Sequence, residues 1–234
     1  MARRRGVVLG LFLCLAVAGF TALGLWQLQR RAWKLDLIDR VEARLAAAPV
    51  AAPGPADWPG LTRAADEYAR VTVSGRYLHD RAVAVTAATV RGSGYWILTP
   101  LEGPGFTVLV NRGFVPPARR DPATRPGSLT PGIVTVSGLL RLSEPDGGFL
   151  RANEPQAGRW YSRDVAAIAA AEDLPPPVAP YFIDAEAAPD PAALPVGGLT
   201  VVRFRNTHLT YALTWFALAG GTALLGARAF RRSG

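Results

Sequence analysis

The chain has 234 residues, one cysteine, two histidines and a formal net charge of +8, and half of its residues are hydrophobic. One cysteine excludes a disulfide framework or a Cys-based metal cluster within a single chain, and two histidines exclude a His-rich metal site. The apolar content excludes disorder throughout. The isoelectric point near 10.5 has the look of a nucleic-acid binder, a reading that depends on where the charges sit.

They sit at the ends. Arg3, Arg4 and Arg5 precede Val7 to Leu25, which holds 19 residues without a charge, and Leu209 to Ala227 is a second such run of 19 residues, followed by Arg228, Arg231 and Arg232. At 1.5 Å per residue each run makes a helix of roughly 28 Å, close to the hydrocarbon thickness of a bilayer. Two transmembrane helices are predicted, over 7–28 and 207–227, with tails at 1–6 and 228–234. The competing reading of the first run is a cleaved signal peptide, with Ala16-Val17-Ala18 as the small-residue site. Against it, the apolar run continues through bulky Phe20, Leu23 and Leu25.

Basic residues number six in the tails and seven at the inner ends of the two spans, Arg30, Arg31, Lys34, Arg40 and Arg44 with Arg203 and Arg205. The positive-inside rule acts most strongly on short segments, so both tails are expected in the cytoplasm and the domain between the spans outside. With six residues ahead of the first span there is no room for a presequence, which points to a bacterial inner membrane. The tails account for six of the eight net charges and leave +2 for the rest, so the basic balance reflects membrane topology and no nucleic-acid partner is expected.

From Gln27 to Leu45 the apolar period stays helical, with Asp36 and Arg40 placed as an i,i+4 pair, so a juxtamembrane helix is predicted over 29–45. Pro49, Pro53, Pro55 and Pro59 then mark a linker at the start of a domain spanning 46–206. There the period changes to two. Strands are predicted at Tyr68–Gly75, Arg76–His79, Ala82–Thr86, Tyr95–Leu101, Phe106–Asn111, Ile133–Leu142, Trp160–Ser162, Tyr181–Ile183 and Val201–Phe204. The pair flanking Asp80-Arg81 reads as a hairpin, as does the pair flanking Glu102 to Gly105. One helix is predicted at Asp164–Glu172, ahead of Pro175-Pro176-Pro177. The fold class is a membrane protein of α+β type, with two transmembrane helices flanking an antiparallel barrel- or sandwich-like domain.

No P-loop, GxGxxG, CxxC, HExxH or GxSxG is present. Spacing alone leaves a Ser-His-Asp triad open, because triads assemble in space, but two histidines supply few bases. The informative region is where the spans meet the outer surface. His208, Tyr211 and Trp215 lie at steps of three and four and share a helix face. Small residues continue that row through Ala219, Ala223 and Ala227, and Gly10, Cys14, Ala18, Ala22 and Trp26 form its counterpart on the first span. An antiparallel pair brings Trp26, Gln27 and Arg30 level with His208, Tyr211 and Trp215. Such a site suits a planar anionic cofactor such as a haem, with the imidazole on the metal and arginine on the propionates. The plainer reading is an interfacial aromatic belt with a surface histidine. His79 is expected at a surface turn. Asn111-Arg112-Gly113 reads as a turn, with Gly113 free to take positive φ and Arg112 either presenting its charge to a partner or facing solvent.

These segments also carry a resemblance. Leu23-Gly-Leu-Trp26-Gln27-Leu-Gln-Arg30-Arg-Ala-Trp33-Lys34, Arg70 to Asp80, Val110-Asn-Arg-Gly-Phe-Val-Pro116, and Pro195 to Gly198 followed by Asn206 to Phe216, are similar, in order, to the motifs of the Surfeit locus 1 (Shy) family of cytochrome oxidase assembly proteins. Phe114 stands where the family's central motif usually has Trp. The resemblance implies an assembly factor with two transmembrane helices that acts on subunit I of a haem-copper oxidase. It further implies a binder of haem a with His208 at the implicated position, a possible partnership with the haem a synthase, and no catalysed reaction. A cofactor-free scaffold that stabilises oxidase subunits is the alternative within the same family reading.

Overall fold

The computed structural model describes residues 2–148, 150–200, 202, 204 and 206–233; the side chains of residues 2–6, 230, 232 and 233 fall outside that description. Two compact units emerge, residues 1–42 with 202–234, and residues 43–201.

In the first unit, helix α1 runs Ala2–Ala46 without a break and the C-terminal helix spans His208–Ser233. Both are long and apolar enough to cross a membrane. The 45 residues of α1 extend about 67 Å at 1.5 Å per residue, well beyond a hydrocarbon core. No proline interrupts it before Pro49, so the transmembrane and juxtamembrane predictions are one rod. Asp36 and Arg40 make no ion pair among the described residues.

The second unit holds seven strands, β1 (Val50–Ala51), β2 (Arg70–Tyr77), β3 (Val83–Thr89), β4 (Gly92–Glu102), β5 (Thr107–Val115), β6 (Ile133–Leu142) and β7 (Val178–Ala185). It also holds the one-turn helix α2 (Arg63–Asp66) and α3 (Val165–Ala171); the C-terminal helix is therefore α4. The sheet order is β1-β2-β6-β7-β5-β4-β3 with an added β2–β4 pairing, so β2, β6, β7, β5 and β4 close a five-stranded barrel. Closure rests on two pairs, Arg76 opposite Glu102 and Tyr77 opposite Leu101. All barrel pairings are antiparallel except β5–β7.

Alternation divides the core in two. Val71, Leu101, Val108, Val110, Val136, Leu140, Tyr181 and Ile183 fill the barrel. Leu98, Leu109 and Phe182 point the other way, where Trp160, Val165 and Ile168 cover them. β5 and β7 are thus apolar on both faces, which explains the near-continuous apolar runs of Val108 to Val110 and Tyr181 to Ile183. Asp164 caps α3, its side chain accepting from the Ala167 amide at 3.2 Å.

Four predicted features take other forms. The Arg76–His79 and Ala82–Thr86 segments do not pair with each other. β2 continues to Tyr77, a 3₁₀ turn at His79–Arg81 follows, and β3 pairs with β4. Barrel closure is the reason: β4, with 11 residues, serves β3 along its first part and β2 at its end. Tyr68 takes positive φ (66°) and lies ahead of β2. Trp160 to Ser162 makes only an isolated bridge, Trp160 to Val85. Of the Val201–Phe204 strand, Val201 and Arg203 lie outside the described residues, as does Arg205, and neither Val202 nor Phe204 is in a strand.

Candidate functional site

The helix unit places its polar contact at one point. His208 Nδ1 and Gln27 Oε1 are 2.7 Å apart. A carboxamide oxygen only accepts, so Nδ1 is the donor in this bond, and in the neutral imidazole the lone pair is then on Nε2. Among the described residues nothing else bonds to Nε2. The Asn206 side chain accepts from the His208 amide at 3.4 Å, at the start of α4.

Around this bond the helices run antiparallel. Gly24 is buried where a Cβ would strike the Phe216 ring, Phe20 stacks on Trp215 with centroids 5.7 Å apart, and Gly226 faces Leu13. The contact residues on α1 are Leu13, Phe20, Gly24 and Gln27, and those on α4 are His208, Trp215, Phe216 and Gly226. Ala212 and Ala219 are buried on the same face. Steps of three and four alternate, as in a left-handed helix pair. The strict i+4 rows expected from sequence keep to this seam in part: Trp215 and Ala219 lie in it, and Gly10, Cys14 and Ala18 line one pocket with Ala223 and Ala227, but Ala22, Ala223 and Ala227 are exposed and Trp26 is 51% exposed. Four residues advance 400°, so a strict i+4 row drifts about 40° per step and winds off the face.

Of the five expected cofactor-binding residues, Trp215 lies in the seam with His208. Tyr211, Trp26 and Arg30 are exposed. At 100° per residue, Tyr211 is offset about 60° from His208, and Arg30 about 60° from Gln27 in the same sense. In an antiparallel pair, offsets of one sense fall on one flank, so Tyr211, Trp26 and Arg30 border the same side of the seam. The Arg30 guanidinium lies 4.7 Å from the Trp33 ring centre, and the Lys34 amine 5.2 Å from that of Phe204. An imidazole whose Nε2 has no partner among the described residues, beside aromatic rings and a guanidinium, is an arrangement that could hold a haem: His208 could offer a ligand atom and Arg30 a counter-charge for a propionate. No group of three or more His, Cys, Asp or Glu gathers among the described residues.

The barrel unit gives the central motif a different form from the expected turn. Asn111, Arg112 and Gly113 lie inside β5. The register slips there: Trp96 faces Phe114 while Leu98 faces Asn111, so β5 carries one extra residue, a β-bulge. Gly113 takes φ +128°, and a Cβ on it would collide with the backbone of Val196 and Gly197. The tight approach joins two motifs, since Phe114 and Val196 exchange both backbone hydrogen bonds at 2.9 Å. Gly113 is buried.

Asn111 reaches out of the bulge. Its Oδ1 accepts from the Gly113 amide at 3.2 Å and its Nδ2 donates to Asp184 Oδ1 at 2.7 Å. Asp184 is 4% exposed and is the hub of a charge network on the outer barrel face. Arg141 donates to it at 3.0 Å, Arg163 at 3.1 Å and Thr200 at 2.8 Å. Glu67 takes Arg141, and Glu144 takes both arginines. Burial acts to lower the Arg141 guanidinium, but Asp184, Tyr68, Glu67 and Glu144 outweigh it, and the net shift is upward. No local pattern marks this hub, because its members span Glu67 to Thr200 and meet only through the barrel.

Arg112 makes a second constellation, half-buried over Tyr77 at 4.7 Å. Its Nη2 donates to the Ser128 carbonyl at 2.5 Å and its Nη1 to His79 Nδ1 at 3.5 Å. His79 Nε2 meets the Thr130 carbonyl at 3.0 Å, so this histidine, expected at a surface turn, is half-buried in the Arg112 cluster. Arg125 comes to the same serine, donating to its hydroxyl at 2.9 Å. Burial pushes both guanidiniums below their ordinary value; Tyr77 partly offsets this for Arg112, and for Arg125 the charge of Arg112 adds to it. Burial likewise raises the Tyr77 phenol.

Comparison with known proteins gives a consistent answer. A profile described as the SURF1 family matches residues 14–220. "Surfeit locus protein 1" of Mus musculus is 36% identical over 238 aligned positions, covering 94% of this chain and 75% of the mouse protein. The protein of that name from Homo sapiens is 36% identical, covering 90% and 73%. A "SURF1-like protein" of Drosophila melanogaster is 35% identical, covering 93% and 76%.

Proposed function

The chain belongs to the SURF1 family, and from that premise we propose that it is a membrane-anchored assembly factor for a haem-copper oxidase that holds haem a at its helix pair. His208 would hold the iron through Nε2. Gln27 accepts from Nδ1 and so orients the ring, as hydrogen-bond partners of metal-bound imidazoles do. Tyr211, Trp215 and Trp26 would supply apolar and aromatic contacts, and Arg30 would offer a counter-charge for a propionate. The observation that carries this reading is the 2.7 Å bond between His208 Nδ1 and Gln27, which leaves the other ring nitrogen free.

The function is binding and delivery to subunit I, with the haem a synthase as a source, and needs no catalysed reaction. The setting is a bacterial inner membrane, with both tails cytoplasmic and the barrel periplasmic, supported by the arginines of the two short tails.

The test is the absorption spectrum of protein purified in detergent from a host that makes haem A. Wild type is expected to carry haem, and His208→Ala to lose at least about nine-tenths of it, since a lone imidazole supplies the iron bond. Haem at full occupancy in the variant rejects the ligand. Co-purification of oxidase subunit I with a haem-free wild type rejects the haem reading in favour of a scaffold.

A further inference from the structure

Two loops of the barrel unit bring three arginines to one place. Arg120 comes from the stretch between β5 and β6, and Arg151 and Arg159 from the stretch between β6 and α3. They line a cavity of about 270 Å³ together with Tyr95, Trp160 and Tyr161, and among the described residues no Asp or Glu lines it. Arg159 pairs with Glu154. Arg120 and Arg151 make no ion pair among the described residues. Asp121 and Glu172 line an adjoining cavity, which shares Arg120 and Gly158 with this one, and the Asp121 Oδ1 is engaged with the Ala123 amide at 2.9 Å. Three guanidiniums against one paired carboxylate leave an excess of two positive charges at the smaller cavity.

The two guanidiniums without an acid are held in place. That of Arg120 lies over the Tyr95 ring at 4.8 Å and donates to the Gly158 carbonyl at 3.1 Å, and that of Arg151 lies over the Tyr161 ring at 5.3 Å. The backbone beneath them is fixed as well. Gly148 and Arg151 exchange backbone hydrogen bonds at 2.8 and 3.1 Å, and Glu154 and Arg159 do the same at 2.8 and 3.1 Å. The Asn153 side chain accepts from the amides of Tyr161 and Ser162 at 2.8 and 3.1 Å, and the Thr86 amide donates to the Trp160 carbonyl at 2.8 Å, which ties the loop to β3. A guanidinium stacked on a ring keeps its in-plane N–H groups for an acceptor. Like charges gathered in one concavity repel each other, and a bound anion relieves that repulsion.

We propose that this cavity binds a phosphate monoester group. The excess of two positive charges matches the charge of such a group, about −1.5 to −2 at pH 7. Planar guanidiniums offer paired N–H groups to its oxygens. Pockets for drug-sized ligands begin at about 300 Å³, so the cavity suits this one group and leaves the rest of a larger ligand outside. Arg120 and Arg151 are the main contacts, and Arg159, shared with Glu154, adds charge. The group is carried either by a soluble phosphate or by a lipid headgroup of the phosphatidic acid type. The inference concerns the barrel unit alone and stands independently of haem at the helix pair.

The experiment is calorimetric titration of the full chain in detergent, at an ionic strength held constant with chloride. The probes are inorganic phosphate, glycerol 3-phosphate, phosphatidic acid in mixed micelles, and acetate as a monoanion. Wild type should bind phosphate saturably and acetate at least about tenfold more weakly. Arg120→Gln and Arg151→Gln should each weaken phosphate by about tenfold, the loss expected for one hydrogen bond to a charged group, with Arg76→Gln, outside the cavity, unchanged. Arg120→Lys keeps the charge and loses the planar fork, and should fall between wild type and Arg120→Gln. Phosphate should raise the melting temperature of wild type and of Arg76→Gln more than that of Arg120→Gln. Tighter binding of phosphatidic acid than of glycerol 3-phosphate upholds the site and assigns it to a lipid headgroup; equal or weaker binding upholds it and assigns it to a soluble phosphate. No saturable binding of any of the three phosphates, acetate bound as tightly as phosphate, or unchanged binding by both Arg120→Gln and Arg151→Gln overturns the proposal.

Discussion

The barrel unit contains two pairs of partly or fully buried arginines that solve the same problem in opposite ways. Arg141 and Arg163 converge on Asp184, Glu144 and Glu67. Arg112 and Arg125 converge on Ser128 and, among the described residues, make no ion pair, with Asp121 acting on Arg125 only through its charge. Burial acts on Arg141, Arg112 and Arg125 in the same direction, yet the net shift is upward for Arg141 and downward for the other two. The difference is the acid: the first cluster is held by its own carboxylates, and the second bonds to Ser128 instead. The first joins β5, β6 and β7 to Glu67 and to Thr200, on the stretch that follows β7.

Breaking the hub should have the largest effect. Asp184→Asn leaves two guanidiniums without the more buried of their two shared carboxylates, and should lower the unfolding free energy by about 3–5 kcal/mol. Urea denaturation of the purified protein measures it, and a loss under about 1 kcal/mol would mean that Glu67 and Glu144 suffice. Thr200→Val removes one hydroxyl bond to a carboxylate. The expected loss is smaller, about 1.5 kcal/mol, as for other hydrogen bonds to charged groups. Its place in the hub is sharpened by a double-mutant cycle with Asp184→Asn, in which the two losses should fail to add. Arg125→Gln should be the mildest. Removal of an unpaired buried charge is expected to leave stability within about 1 kcal/mol of wild type or to raise it. A loss as large as that of Asp184→Asn in the same urea titration would erase the distinction between the two pairs.

Much of this architecture was legible because it rests on period and composition. Two uncharged runs of bilayer length gave the spans, alternation gave β6, short apolar runs gave most of β5 and the centre of β7, and the segment Asp164–Glu172 ahead of three prolines gave α3. The family was legible from motifs that keep their order along the chain. The seam between the helices was harder to read. Small residues at i+4 mark a row that drifts, whereas the contacts follow alternating steps of three and four, so Gly24 and Phe216 were missed. Asn111-Arg112-Gly113 carries turn chemistry, and only the pairing of β5 with β4 shows that the glycine serves a bulge pressed on Val196. Asp184 and Arg125 were not legible at all. Each takes its meaning from residues far away in sequence, and a lone Asp or Arg in an ordinary segment carries no local signal. Gln27 was placed level with His208, but its role is set by a side-chain bond that sequence does not show.

The central claim, that His208 ligates haem through a ring nitrogen left free by Gln27, is tested most directly by magnetic resonance of the haem-loaded protein grown with isotope-labelled histidine. The chain has only two histidines, His79 and His208, so His79→Ala and His208→Ala separate the candidates completely. The account predicts nitrogen coupling from one labelled imidazole to the iron in wild type and in His79→Ala, and its loss in His208→Ala. Coupling that persists in His208→Ala, or that vanishes in His79→Ala, would contradict it.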